Sequence, residues 1–204
     1  MNVRYHLMHR MMISWSKCRP LKRSCAEVGS VISAVTAGSR AFQVCTRTFW
    51  QTYEKSATKF ERLNRKFFEV IAEKPATIFI ILREKTTGEM IAFMLCFDMG
   101  ERLINMFIGM DYSRPKEWML FFRLWEAVVD LALSRGFSAI VSGRSSYEAK
   151  IEMGHKLVPL NNYCRHRNIF LHSIYRIFAQ RIHWASMDEA PARFLKTHPD
   201  ADVA

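Results

Sequence analysis

The sequence predicts an α/β domain on a mixed sheet, in which an antiparallel meander is followed by a parallel β-α-β crossover. Three observations carry this. Three apolar runs separated by short polar turns lie between residues 76 and 110. A long, almost wholly apolar helical stretch then leads through Gly136 into a fourth short apolar run. The runs are apolar at consecutive rather than alternate positions, as in a sheet covered by helices on both faces.

In chain order, a helix comes first. From about Glu54, Ala57, Phe60, Leu63, Phe67, Val70 and Ile71 recur at helical spacing, Glu61, Arg62, Arg65, Lys66 and Glu69 fall opposite, and Lys74-Pro75 ends the pattern. Ala76–Leu82, Met90–Phe97 and Arg102–Met110 read as three strands, joined by turns at 85–88 and 98–101. Glu117–Ser134 is the longest helix; its polar stripe is only Arg123, Glu126, Asp130 and Ser134, so it must be nearly enclosed. Gly136 sits where a left-handed cap is expected. Phe137–Ser142 supplies the next strand, parallel to its predecessor because a helix intervenes. Ser145 and Glu148 have capping-box spacing for a second helix stopping at Gly154, and His155–Leu160 is a short extended piece.

Composition bounds the rest. The 204 residues, 50% hydrophobic, suit one well-buried domain. The longest apolar runs, Ile78–Leu82 and Met90–Phe97, are too short for a membrane span of roughly 20 residues. Five cysteines in no paired pattern, with Cys96 inside a strand, favour a reduced, cytoplasmic protein. Much of the +11 net charge lies in residues 1–50, which hold eight Lys or Arg against one acid, Glu27. That segment reads as a weakly ordered basic arm or a partial N-terminal domain rather than a targeting peptide. Residues 51–185 form the expected domain, and 186–204 a flexible tail.

The two polar turns of the crossover fall at one edge of the predicted sheet, where open α/β sheets hold ligands. The first offers Asp111, Tyr112, Ser113, Arg114 and Lys116; the second offers Arg144, Ser145, Ser146, Tyr147, Glu148 and Lys150. Such groups can hold an anion and move a proton. Each also has a structural reading: Asp111 as a turn former, Tyr112 as a rim aromatic, Glu148 as half of a capping box, and Lys150, Arg114 and Lys116 as solvated surface. Cys164-Arg165-His166, with His155 and His172, lacks the spacing of a metal site. Arg165–Trp184 is a basic amphipathic stretch, read as a core-packing helix or strand pair with a basic edge in preference to a membrane- or phosphate-binding surface.

The element order resembles the acyltransferase fold of the GNAT superfamily of N-acetyltransferases, and more narrowly its Fem-type peptidoglycan aminoacyl transferase branch. The carrying residues are Lys55-Ser56-Ala57-Thr58-Lys59-Phe60, Phe107-Ile108-Gly109-Met110-Asp111-Tyr112, Ala132-Leu133-Ser134-Arg135-Gly136-Phe137, Tyr147 to Gly154, and Leu157-Val158-Pro159-Leu160. The resemblance implies transfer of an acyl or aminoacyl group to a small-molecule or peptide amine. The co-substrate is then acetyl-CoA or another acyl-CoA, or an aminoacyl-tRNA, with no tightly bound cofactor. Amine attack on a carbonyl needs a neutral nucleophile, a stabilised oxyanion and a protonated leaving group. Backbone at Gly109 and Met110 can supply oxyanion donors, Asp111 or Glu148 can take the amine proton, and Tyr112 or Tyr147 can protonate the leaving group. Lys150 binds the anion or carbonyl. Arg114 and Lys116, with Arg144 and Ser145, can hold phosphate. The superfamily's glycine-rich pyrophosphate turn, R/Q-x-x-G-x-G/A, is replaced by Asp111-Tyr112-Ser113-Arg114-Pro115-Lys116, which contains no glycine. A homodimer or a companion GNAT chain would complete an incomplete N-terminal half. A noncatalytic GNAT-fold binding protein and an RNA-binding module using the basic arm are the competing expectations.

Overall fold

The computed structural model describes residues 3–13, 28–33, 39–56, 59, 61–143, 149–150, 153–164, 167–179 and 196. In chain order the elements are β1 (Val3–Ile13), β2 (Val28–Ser33), α1 (Ser39–Lys55), α2 (Arg65–Ala72), β3 (Thr77–Glu84), β4 (Met90–Asp98), β5 (Arg102–Met110), α3 (Leu120–Ser134), β6 (Ala139–Ser142), β7 (His155–Cys164) and α4 (Ile169–Ala179). They fall into two compact units, residues 20–140 and residues 1–19 with 141–204.

In the larger unit β2, β3, β4 and β5 pair antiparallel in that order. The expected three-stranded meander is therefore four-stranded: β2 comes from the segment read as part of the arm and pairs Val28 with Glu84 through to Ser33 with Phe79. Helix α3 carries the chain from β5 to β6, which follows β5 in the sheet order, completing the parallel crossover. Strands β3 and β4 are buried along most of their length, as consecutive apolar residues require. Phe79, Ile81, Phe93 and Leu95 join Phe42, Cys45, Phe49 and Phe68 of α1 and α2 in one core cluster. The alternation of a strand leaves Ile78, Ile80 and Leu82 for the opposite side, and α3, with Leu124, Trp125, Val128 and Leu131 buried, packs against β2, β3 and β4.

Helix boundaries differ from expectation for local reasons. The single helix expected from Glu54 to Lys74 is two. The Lys59 ammonium donates to the carbonyls of Tyr53 and Glu54, both at 2.6 Å, at the end of α1. Asn64 restarts the chain as α2, its side-chain oxygen accepting from the Phe67 N–H at 3.0 Å. Ala57, Thr58 and Phe60 of the expected pattern lie outside the described residues. The helix expected from Glu117 begins at Leu120, because Met119 adopts the left-handed conformation (φ 49°) after a 3-10 turn at Lys116–Trp118. Gly136 caps α3 as expected, with φ 70°.

In the smaller unit β1 pairs antiparallel with β7, from Val3 opposite Cys164 to Ile13 opposite His155. The extended piece expected at His155–Leu160 thus runs four residues longer, with a partner from the basic start of the chain. Its period-two signal, Val3, Tyr5, Leu7, Met11 and Ile13, is masked by the intervening basic residues. Helix α4 forms, but the expected core packing does not. Ile169, Phe170, Ile174, Ile177 and Phe178 are each more than half exposed. Among the described residues no helix is long and apolar enough to cross a membrane.

Gly109 lets α1 lie against β5. A Cβ there would meet the Phe93 ring, the Phe49 backbone nitrogen at 2.7 Å and Thr48 Oγ1 at 2.8 Å. Gly109→Ala should therefore destabilise the protein by about 1–3 kcal/mol, the range for overpacking a core. Urea unfolding would show this as a lower midpoint at unchanged slope. An unchanged midpoint would mean that the helix can retreat without cost.

Candidate functional site

The loop leaving β5 is closed on itself. The Met110 N–H donates to Thr52 Oγ1 at 3.1 Å, Asp111 N–H to the Ile91 carbonyl at 2.8 Å, and Tyr112 N–H to Gln51 Oε1 at 2.9 Å. Ser113 N–H donates to Asp111 Oδ1 at 3.1 Å and Arg114 N–H to the Asp111 carbonyl at 3.3 Å. Five successive backbone donors thus have internal acceptors. The Gly109–Met110 backbone expected to polarise a carbonyl is committed instead to α1: Met110 through its hydrogen bond to Thr52, and Gly109 through the packing described above.

Asp111 and Arg114 are likewise engaged within the fold. Asp111 is buried, and its Oδ1 also accepts from the Ser113 hydroxyl at 2.7 Å. Burial pushes this carboxyl up, but the Ser113 hydrogen bonds and the charges of Arg114 and Arg47 outweigh it and hold it below the ordinary carboxylate range. A carboxylate so stabilised is a poor proton acceptor. The Arg114 guanidinium reaches three carboxylates, Glu89 at 2.7 Å, Glu84 at 3.0 Å and Asp111 at 3.4 Å. It ties the β3–β4 hairpin to the loop after β5 and has little capacity left for phosphate. Lys116 is exposed at the start of the 3-10 turn.

Tyr112 is over a third exposed, with the Lys55 ammonium 4.1 Å from its ring centre. Burial of its phenol raises its pKa against a lowering hydrogen bond with Thr52. It forms one end of an open groove of about 880 Å³ along α1, lined also by Arg40, Arg47, Trp50, Gln51 and Lys55. Sequence reading missed Arg40 and Arg47 because they were counted as the charge of an arm. The available signal was the burial of Phe42, Cys45 and Phe49 at helical spacing, which fixes Arg40 and Arg47 together on the outer side.

In the smaller unit Lys150 is 3% exposed. Its ammonium donates to the Gly143 carbonyl at 2.8 Å, and burial pushes its pKa down to about 8. The neutral His155 ring donates through Nδ1 to the Lys150 carbonyl at 2.7 Å. Burial is the main cause of its pKa being lowered to about 3. Lys150 is thus not the solvated lysine of the alternative reading. Arg144, Ser145, Ser146, Tyr147 and Glu148, with their expected capping box, lie outside the described residues, as do Arg165 and His166.

A mixed sheet with an antiparallel run, a helical crossover and a parallel strand defines the GNAT class of fold. Solved structures of that class superpose on the chain. L-PGS from Bacillus licheniformis is 9% identical, with a TM-score of 0.59 over 86% of this chain and 65% of its own. The C-terminal domain of a putative lysylphosphatidylglycerol synthetase from Agrobacterium fabrum is 10% identical, with a TM-score of 0.59 over 85% and 66%. A GCN5-related N-acetyltransferase from Sphaerobacter thermophilus is 10% identical, with a TM-score of 0.56 over 80% and 50%. The chain spans half to two thirds of the length of these structures, and at such identities the likeness is one of fold. No family model and no curated protein matches the sequence.

Replacing Arg114 with Ala would leave Asp111 and Glu84, both largely buried, without their cation, an expected loss of about 2–3 kcal/mol at pH 7. Because the folded Asp111 pKa lies below its unfolded value, its stabilisation is present above pH about 4 and is lost as pH falls through the folded value. Asp111→Asn should therefore flatten the acid limb of stability in denaturation series between pH 2 and 6. An acid limb identical to that of wild type would remove Asp111 from this account.

Proposed function

We propose that the protein is an acyltransferase that moves an acyl or aminoacyl group onto an amine, of the Fem-type kind within its fold class. The observation that carries the reading is Lys150. It is a buried ammonium with no carboxylate beside it among the described residues. Such a group costs stability and is the sort that chemistry at a carbonyl uses. In the reaction the amine nitrogen attacks the donor's carbonyl carbon, the bond to the leaving oxygen or sulfur breaks, and the amine's proton passes to the leaving atom. The charge that builds on the carbonyl oxygen needs a nearby cation or N–H groups. Lys150 takes that role. Tyr112, and Tyr147 and Glu148 beyond the described residues, keep the proton-transfer roles, and Arg144 and Ser145 the binding of the donor.

The same closed loop bears on the donor. A coenzyme A pyrophosphate needs a run of open backbone N–H groups, whereas residues 110–114 direct theirs inward. This supports an aminoacyl ester carried on tRNA over acyl-CoA, and the fold neighbour named as a putative lysylphosphatidylglycerol synthetase domain agrees with aminoacyl transfer.

Turnover of aminoacyl-tRNA and of acetyl-CoA with a panel of amines is the direct test. Protonated Lys150 is the active form, so kcat/KM should fall as pH rises through about 8. Lys150→Met should lower kcat/KM by about 10²–10³-fold, while removing a buried charge and raising stability at neutral pH. Lys150→Arg should restore part of the rate and move the alkaline limb upward. Full activity in Lys150→Met would refute the assignment, and consumption of neither donor would leave a noncatalytic binding protein.

A further inference from the structure

The groove along α1 has a character that acyl transfer by itself does not require. Arg40 and Arg47 are exposed on its wall. They stand two helical turns apart, about 10 Å along the axis. Neither forms an ion pair among the described residues. The other charges of the wall are engaged: Arg65 holds Glu69 at 2.6 Å, Glu54 lies 3.6 Å from Lys59, and Lys55 covers Tyr112. Helix α1 thus presents two guanidinium groups outside any of these ion pairs, of which Arg47 also acts at longer range on the Asp111 carboxylate. Their planar forks match carboxylate and phosphate oxygens.

Beside the two arginines the wall mixes the polar side chains of Gln43 and Thr46 with apolar surface from Val44 and, one turn beyond Arg47, Trp50. The Trp50 indole N–H is committed to the Leu63 carbonyl at 2.7 Å, and Arg62 stacks on the ring at 4.3 Å. Trp50 therefore offers the groove ring surface rather than a hydrogen bond. A volume of about 880 Å³ lies in the range of small-molecule sites. We infer that the groove binds a small organic anion, a carboxylate or phosphate on an apolar or aromatic body, with Arg47 and Arg40 gripping the acid group and Trp50 packing the body.

Because the groove ends at Tyr112, directly beyond β5, its occupant is the acceptor: an amine that also carries an acid group. That last step rests on the acyltransfer reading, whereas the binding does not. Titration calorimetry on the full chain with phenyl phosphate, benzoate and the neutral benzyl alcohol tests the binding. At least one anion should bind about tenfold or more tightly than the alcohol, and Arg47→Gln should abolish that preference by a similar factor. Lys85→Gln, on an exposed turn, should leave it intact. Comparing phenyl phosphate with benzoate tells which acid group is read. Equal binding of the alcohol, undiminished anion binding by Arg47→Gln, or no binding of any probe would overturn the site. Anion binding without transfer to any amine would sink the acyltransferase reading and keep the groove. Transfer without preference for acidic over neutral amines would sink the acceptor assignment.

Discussion

The close approach of α1 to β5 is the constraint on which the larger unit depends. Gly109 leaves out a Cβ that would press on the α1 backbone. Thr52 and Gln51 then reach the N–H groups of Met110 and Tyr112, and Phe49 enters an aromatic chain with Phe68, Phe107 and, through Phe68, Phe93. Each edge-to-face contact adds about 0.5–1.5 kcal/mol beyond the area it buries. The same contact that builds the core therefore consumes the backbone donors at the end of β5.

Electrostatics completes that closure. Arg114 gathers Asp111, Glu84 and Glu89, so the loop after β5 is clamped to the β3–β4 hairpin. Arg47 contributes to the same field, since its charge helps to hold Asp111 ionised. Other cations of the described residues are placed differently, on the outer side of α1 and at the buried Lys150. These two places represent different physical strategies. Arg40 and Arg47 remain hydrated and available to a diffusing anion, whereas Lys150 is desolvated, which both lowers its pKa and strengthens its pull on any developing negative charge.

The buried thiols follow the same logic in reverse. Cys45 and Cys96 are free, and burial pushes the Cys45 pKa up to about 12 and that of Cys96 higher still. They act as small apolar core residues without thiolate chemistry.

The sequence by itself determined the elements whose signal is local: the β3–β5 meander, the apolar crossover helix with its Gly136 cap, and the parallel strand that follows. Periodicity and turn residues act over a few positions and do not depend on the rest of the chain. It also brought Lys150 and Tyr112 into view as candidates. Only the tertiary structure decided that β2 pairs with β3 and β1 with β7, since a strand's partner is set by pairing across long sequence separations. The split of one expected helix into α1 and α2 turned on side chains, Lys59 and Asn64, folding back onto particular backbone groups. The fate of Asp111, Arg114 and Gly109 was likewise invisible in the chain. Whether a polar group serves a ligand or the fold depends on which partners reach it, and Glu84, Glu89, Gln51 and Thr52 reach this loop from more than twenty positions away.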